Sequence, residues 1–228
     1  MQRIRGVILD IDGTLVNSND AHARAWVSAF AESGFYVSFN TVRQLIGMGG
    51  DKLMPALTGL DPKSAEAERI GETRSELFLD EELRSLQPTR GARSLLEHLL
   101  GVGFELVVAT SAKDDEVRAL LEQAGVSDLI QLASSADDAE RSKPDPDIVQ
   151  AALRLSGSQA AHSAMLGDTP YDVEAAARAR VPAIALRCGG WWDDAALARA
   201  MALYDDPADL LAHFDDSPLA RASRVVGR

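Results

Sequence analysis

The sequence predicts an α/β fold, with a parallel β-sheet core and an all-helical domain inserted into that core. Short apolar runs alternate with segments whose apolar residues recur at helical spacing, which is typical of βαβ units. One long stretch near the N-terminus interrupts the alternation and contains only helical patterns. A length of 228 residues is enough for one large domain or two unequal ones.

The predicted strands are apolar runs that stop abruptly at turn residues, as strands buried on both faces of a sheet do. The first run, Gly6 to Leu9, stops at Asp10. Strands are predicted over residues 6–9, 105–109, 129–133, 163–166 and 182–186. Core helices are predicted between them over residues 90–100, 114–124, 145–155 and 170–179, with Asp147 and Pro170 in first turns.

The stretch of residues 16–87 is predicted to form the inserted helical domain. Its expected helices span residues 20–33, 41–46, 51–57 and 63–85. The core domain then comprises residues 1–15 and 88–228, joined to the insert by linkers at 15–18 and 86–89. The polar tail from residue 215 to 228 is expected to fray.

Composition excludes several classes of partner. The chain has 23 Lys+Arg against 35 Asp+Glu, a formal charge of −12, so we expect neither nucleic acid nor an anionic membrane as a partner. A single cysteine, Cys188, excludes an internal disulfide. No apolar run resembles a secretion signal or a membrane span, so we expect a cytoplasmic protein. We expect it to be a monomer or a homodimer.

Paired acids directly follow the first predicted strand. Asp10 and Asp12 flank Ile11 and precede Gly13, which permits a tight turn. Two neighbouring carboxylates repel each other unless a cation lies between them, and oxygen ligands suit Mg²⁺. The alternative is a turn stabilised by an aspartate side chain.

Three further polar groups stand near the ends of other predicted strands, where an open parallel sheet binds ligands. Thr110 and Ser111 could hold a phosphate oxygen or cap a helix. Lys143 could reach phosphate or lie on the surface. Asp168 and Asp172 could complete an acidic metal site with Asp10, or favour a helix N-terminus.

A glycine-rich loop in the insert, from Gly47 to Lys52, opens a predicted helix. Its backbone N–H groups and the Lys52 ammonium could contact an anionic ligand. The alternative is a flexible connection between two helices.

Taken together, these motifs resemble the haloacid dehalogenase-like hydrolase superfamily, in its phosphatase branch with a helical cap. Asp10-Ile11-Asp12-Gly13-Thr14 resembles the first motif, Thr110 the second, Lys143 the third, and Gly167-Asp168 with Asp172 the fourth. The resemblance covers the chain apart from the tail and implies a Rossmann-like core domain. It also implies that residues 16–87 are the cap.

The resemblance implies a reaction and a role for each motif. Asp10 would attack a small phosphorylated metabolite and form an aspartyl-phosphate. Asp12 would act as general acid and then as base, which a raised pKa would allow. The expected metal residues are Asp10, Asp12 (through its carbonyl), Asp168 and Asp172, with Mg²⁺ as the cofactor. Thr110 and Lys143 complete the catalytic set, and the expected substrate-binding residues are Ser111, Gly49, Lys52 and His22.

Three other functions remain open at this stage. A phosphohexose mutase would share Asp12 and a cap-hinge histidine, for which His22 stands at the matching position. A phosphonatase is disfavoured because Pro55 stands where that family places a histidine. A receiver-like signalling domain, phosphorylated on aspartate, would lack the helical insert and the second acid.

Overall fold

The computed structural model describes residues 4–223, with side chains described up to residue 220. It contains one sheet of six parallel strands, in the order β3-β2-β1-β4-β5-β6. The strands are β1 (Gly6–Leu9), β2 (Glu105–Ala109), β3 (Ala133–Ser134), β4 (Ser163–Gly167), β5 (Ala183–Leu186) and β6 (Ala202–Tyr204). The predicted α/β fold is therefore confirmed.

Ten α-helices occur among the described residues. They are α1 (Asn19–Glu32), α2 (Phe39–Arg43), α3 (Gly50–Thr58), α4 (Ala65–Leu77), α5 (Ala92–Gly101), α6 (Asp114–Gln123), α7 (Asp147–Ser156), α8 (Pro170–Arg178), α9 (Pro207–Ala212) and α10 (Pro218–Ser223). A turn of π-helix (Phe78–Glu82) and one of 3₁₀-helix (Leu83–Ser85) extend the line of α4. Asp147 and Pro170 begin α7 and α8, as predicted.

The sheet is covered on both faces. Leu95 of α5 and Leu120 of α6 belong to the hydrophobic cluster on one face. Ile148 of α7 and Val173 of α8 belong to the cluster on the other. Because both faces are buried, the central strands are apolar throughout rather than alternating, as the sequence indicated.

The helices between β1 and β2 have a hydrophobic cluster of their own. Trp26 and Phe30 of α1 pack there with Val42, Leu53 and Ile70, which come from the next three helices. The two connections to the sheet run side by side, because Asn17 N donates to Gln87 O at 3.0 Å and Thr89 N to Leu15 O at 3.0 Å. The insert therefore leaves and rejoins the sheet at one place.

Three predictions about elements need correction. The strand predicted over 129–133 lies later and is shorter, at Ala133–Ser134, because Leu129 instead forms a turn whose N–H donates to Val126 O. Strand β6 was not predicted. The tail does not fray at residue 215: Phe214 and Leu219 are buried in the core, and α10 extends to Ser223, while residues 224–228 lie outside the described residues.

Candidate active site

The site lies at the carboxyl ends of the three central strands. Asp10 follows β1, Thr110 follows β2, and Asp168 follows β4. Strand β1 pairs with both β2 and β4, so these three residues lie side by side although they are far apart in sequence. This is the crevice where open parallel sheets bind ligands, and all three sequence-predicted positions meet there.

The turn after β1 brings the two paired acids to this edge. Backbone N–H groups of Thr14, Leu15 and Val16 all donate to Ile11 O, which folds the chain sharply. Gly13 has φ +75°, and a Cβ there would stand 2.3 Å from Asp168 Oδ2. Glycine is therefore required twice over, by its backbone conformation and by its closeness to a carboxylate.

Three buried carboxylates form a cluster. One oxygen each of Asp10, Asp168 and Asp172 lies within 4.8 Å of the others. Thr14 Oγ1 donates to Asp168 Oδ1 at 3.1 Å, and Asn19 Nδ2 donates to Asp168 Oδ2 at 2.8 Å. The predicted meeting of these three acids is therefore present.

Lys143 is the cation of this cluster and is itself buried. Its ammonium donates to Asp10 Oδ1 and lies 2.7 Å from Asp172 Oδ1. Burial lowers the pKa of Lys143, but the charges of Asp10 and Asp172 outweigh this effect and hold the pKa above its ordinary value. The alternative of a solvated surface lysine is wrong.

Two acids of the cluster have strongly shifted pKa values. Burial raises the pKa of Asp10, Lys143 lowers it, and Asp172 and Asp168 raise it, with a net position well above 3.8. Burial and the charge of Asp172 raise the pKa of Asp168 to about 7. When its acids are ionised, the cluster therefore carries more negative charge than Lys143 alone can balance.

The residues present fit a divalent cation. Three carboxylates face one ammonium, which leaves an excess of two negative charges among these groups. The donor set consists of oxygen atoms, and a Cβ at Gly189 would stand 1.8 Å from Asp168 Oδ2, so the backbone approaches these oxygens very closely. The cluster can therefore hold a hard divalent metal ion.

Asp12 faces a different set of partners. Its Oδ1 lies 2.7 Å from His22 Nε2 and accepts a hydrogen bond from Ser18 Oγ at 2.5 Å. Burial raises the pKa of Asp12, but the charge of His22 and these hydrogen bonds outweigh it, so the pKa lies below 3.8. The expected raised pKa is therefore wrong for this state, and the Asp12 side chain is not part of the three-acid cluster.

These groups border one small cavity, with a volume of about 50 Å³. Its lining includes the catalytic and binding residues predicted from sequence, namely Asp10, Asp12, His22, Gly49, Thr110, Ser111 and Lys143. The Ser111 hydroxyl is buried without a hydrogen-bond partner among the described residues, and Thr110 does not cap α6, which begins after Lys113. Thr110 Oγ1 accepts from Ala112 N at 3.2 Å, so both hydroxyls can still donate to a ligand.

The glycine-rich loop of the insert lies against the core. Gly49 N donates to Ser142 Oγ at 3.0 Å, and Lys52 Nζ donates to Asp145 Oδ2 at 2.6 Å. Gly49 thus borders the cavity, whereas Lys52 binds a core carboxylate and is not among the lining residues. The role predicted for Lys52 in binding substrate has no support in this arrangement.

Comparison with known proteins decides the family. Residues 7–186 match the family model of the haloacid dehalogenase-like hydrolases. The chain belongs to this family. It is 31% identical over 214 residues to a phosphoglycolate phosphatase of Rhodospirillum rubrum, covering 90% of this chain and 89% of that protein.

Other known proteins resemble this chain over similar lengths. Validoxylamine A 7′-phosphate phosphatase of Streptomyces hygroscopicus is 28% identical over 210 residues, covering 87% of this chain and 92% of that one. The crystal structure of a hydrolase from Pseudomonas syringae has a TM-score of 0.86 at 29% identity and covers 92% and 98% of the two chains. A β-phosphoglucomutase-like protein from Bacteroides vulgatus shares the fold, with a TM-score of 0.85 at 22% identity over 97% and 91%.

These findings confirm the predicted resemblance to phosphatases of this family. The chain is therefore an enzyme of the hydrolase class. The receiver-like alternative does not fit, because a receiver lacks the helices found here between β1 and β2. Among the described residues, we find no helix with the length and apolar character needed to cross a bilayer.

Sequence reasoning missed several polar residues around the haloacid dehalogenase-like site. Ser18 stands at the start of α1 but donates to Asp12 rather than capping the helix. Asn19 reaches Asp168, and Arg74 reaches Glu116 at 2.9 Å, each across a long stretch of chain. Only Ser18 and Asn19 carried a local signal, their position at a helix start soon after the first motif.

Proposed function

We propose that this chain is a Mg²⁺-dependent phosphatase that hydrolyses a small phosphate monoester through an aspartyl-phosphate on Asp10. The observation that carries the proposal is the placement of Asp10. Its carboxylate contacts Lys143 and lies with Asp168 and Asp172, and it borders the same small cavity as the Asp12–His22 pair. A nucleophile, a source of positive charge and a proton carrier thus surround one space.

The first step forms a bond from an Asp10 oxygen to phosphorus, while the bond from phosphorus to the ester oxygen breaks. Lys143 holds the oxygens of the transferring group by charge, and the hydroxyls of Thr110 and Ser111 can donate to them. Donors placed where charge develops lower the barrier. Water then attacks phosphorus, which releases inorganic phosphate and restores Asp10.

Mg²⁺ would be held by Asp10, Asp168 and the carbonyl of Asp12, with Asp172 orienting this set. When bound, the ion supplies positive charge that offsets repulsion between the carboxylate and the phosphate. The oxygen donor set and the excess negative charge of the cluster support this assignment.

Asp12 would carry the proton for both steps. Asp12 Oδ1 lies 2.7 Å from His22 Nε2, so the two side chains share a hydrogen bond. The negative charge of an entering phosphate raises the pKa of a nearby carboxyl, so Asp12 enters the first step protonated and passes its proton to the leaving oxygen. In the second step Asp12 accepts a proton from the attacking water.

Asp10→Asn tests the nucleophile. We expect turnover of p-nitrophenyl phosphate to fall at least ~10³-fold, since the substitution removes the proposed nucleophile. The matched control is Asp80→Asn, an exposed aspartate of the insert, which should keep wild-type turnover. EDTA should abolish activity and added Mg²⁺ restore it. Near wild-type turnover in Asp10→Asn would sink the assignment.

A phosphohexose mutase stays the second candidate, because His22 stands where such mutases have a cap-hinge histidine, and in this structure it contacts Asp12. A mutase would protect the aspartyl-phosphate from water. Incubation with glucose 1-phosphate separates the two outcomes: release of inorganic phosphate supports the phosphatase, and isomerisation without release supports the mutase.

A further inference from the structure

A second, larger cavity adjoins the small one. It has a volume of about 270 Å³, against about 50 Å³ for the cavity that contains Asp10. Residues from both the insert and the core line the two cavities together, among them Trp26, Arg74 and Ser111. Since the small cavity holds the reacting groups, the larger one lies where the leaving group of a substrate would extend.

The larger cavity offers more room than the smallest leaving groups need. About 10–15 Å³ of such volume is enough to hold one water, so the larger cavity, at about 270 Å³, has room for many. Glycolate would leave most of that volume filled with water. A leaving group the size of a monosaccharide would fill it.

Arg74 lines both cavities, and contacts with its neighbours hold its guanidinium in place. Its guanidinium lies 5.2 Å from the Trp26 ring centroid, and its Nη1 donates to Glu116 Oε2 at 2.9 Å. Glu116 Oε1 is held in turn by Ser75 at 2.6 Å. Arg74 is more than nine-tenths buried, and its Nε has no hydrogen-bond partner among the described residues.

The charge around this junction argues against an anionic leaving group. Glu116, which is 1% exposed, neutralises Arg74. The described residues that line the larger cavity include three acids, Asp51, Glu68 and Glu140, and two cations, Arg74 and Lys113. A carboxylate or second phosphate would meet an excess of like charge, whereas hydroxyl groups could pair with both members of the Arg74–Glu116 pair.

We propose that the leaving group of the substrate is an uncharged polyhydroxylated one, such as a sugar or a cyclitol, and that the Arg74–Glu116 pair binds its hydroxyls. This inference rests on the proposed phosphatase function. The inference predicts that sugar or cyclitol phosphates are better substrates than phosphoglycolate, although several relatives are named phosphoglycolate phosphatase.

Initial rates with a panel of phosphate monoesters test the substrate class. p-Nitrophenyl phosphate, phosphoglycolate and a set of hexose, pentose and inositol monophosphates are compared at saturating Mg²⁺. We expect kcat/KM for the best sugar or cyclitol phosphate to exceed that for phosphoglycolate at least tenfold. A preference for phosphoglycolate overturns the inference, whereas no release from any compound overturns the proposed function instead.

Glu116→Gln tests the pair itself. The substitution keeps the shape but leaves Arg74 with an unpaired charge, so kcat/KM for phosphoglycolate relative to the best sugar phosphate should rise about tenfold, mainly through KM. The matched control is Asp115→Asn, the exposed neighbour on α6, which lines neither cavity and should leave the ratio unchanged. An unchanged or lowered ratio in folded Glu116→Gln contradicts the role of the pair. Should that variant fail to fold, the substrate panel still decides the class.

Discussion

Asp172 uses its two carboxylate oxygens for different tasks. Oδ2 accepts hydrogen bonds from the backbone and hydroxyl of Thr169, which caps α8, and Oδ1 pairs with Lys143. Asp172 is therefore both a helix-terminal acid and a member of the three-acid cluster, two placements that seemed to compete in the sequence. Capping fixes the side chain, and a fixed side chain can hold a charge in place.

Single residues also set how closely the insert approaches the core. A Cβ on Gly49 would stand 2.5 Å from Ser142 Cβ, so Gly49→Ala must push the loop away from the core. We expect kcat/KM with p-nitrophenyl phosphate to fall about tenfold, because the reacting groups would no longer be enclosed. Steady-state kinetics gives the value.

The control for this substitution is Gly101→Ala at the end of α5, where a Cβ would meet nothing within 4 Å. It should leave kinetics unchanged. Wild-type kinetics in Gly49→Ala would mean that the contact seen here plays no part in turnover.

Much of the site could be predicted from sequence because each motif is local. Asp10 with Asp12, and Asp168 with Asp172, each lie within a few residues and follow a strand. The pairs that connect distant segments could not be predicted: Asn19 and Asp168 are 149 residues apart, and Arg74 and Glu116 are 42 apart. Their contacts depend on how the insert packs against the core, which no local pattern encodes.

At the scale of elements, the strand predictions made from sequence were wrong where a strand is short. Strand β6 has three half-buried residues, Ala202–Tyr204, at the edge of the sheet, too few to show a pattern. Strand β3 has only two residues, Ala133 and Ser134. The apolar Leu129 and Ile130 that precede it pack on the core without forming a strand. Apolar character therefore marks burial in both cases, but it does not settle which backbone conformation buries the side chain.

The C-terminal helix is expected to contribute to stability. Leu219 is 1% exposed and packs in the same cluster as Leu95 and Phe214. Leu219→Ala should lower the free energy of unfolding by about 3 kcal/mol, through lost burial and the cavity left behind. Urea unfolding measures the change.

Leu155→Ala is the matched control, since Leu155 of α7 is 47% exposed. It should change the free energy of unfolding by less than about 1 kcal/mol. Equal effects of the two substitutions would show that α10 does not pack on the core in solution.

At the scale of the whole molecule, part of the acidity behind the formal charge of −12 lies where it costs stability. Exposed carboxylates are well hydrated, but Asp10 and Asp168 are buried beside Asp172. Both have raised pKa values, so they bind protons more tightly in the folded chain than in the unfolded one. Without metal, their contribution to stability falls as pH rises through about 7 and is recovered as pH falls towards 3.8.

Mg²⁺ should therefore stabilise the fold more at high pH than at low pH, because it competes with protons for the same carboxylates. We expect saturating Mg²⁺ to raise the melting temperature by several degrees at pH 8 and by much less at pH 5.5. Differential scanning calorimetry at constant ionic strength measures both shifts, and Asp168→Asn should remove most of the effect at pH 8. Equal shifts at the two pH values, or a full shift in Asp168→Asn, would contradict a metal site at these acids.

The hydrogen bonds between the two linkers have a consequence for how this chain can be altered. Leu15 and Thr89 are joined directly at 3.0 Å, so the segment between them begins and ends at nearly the same point. A few residues of turn could replace the whole insert without displacing a strand. Another helical segment could be grafted at this junction, provided that it also supplies the partners that the insert gives to the acids, since Asn19 donates to Asp168 and His22 contacts Asp12.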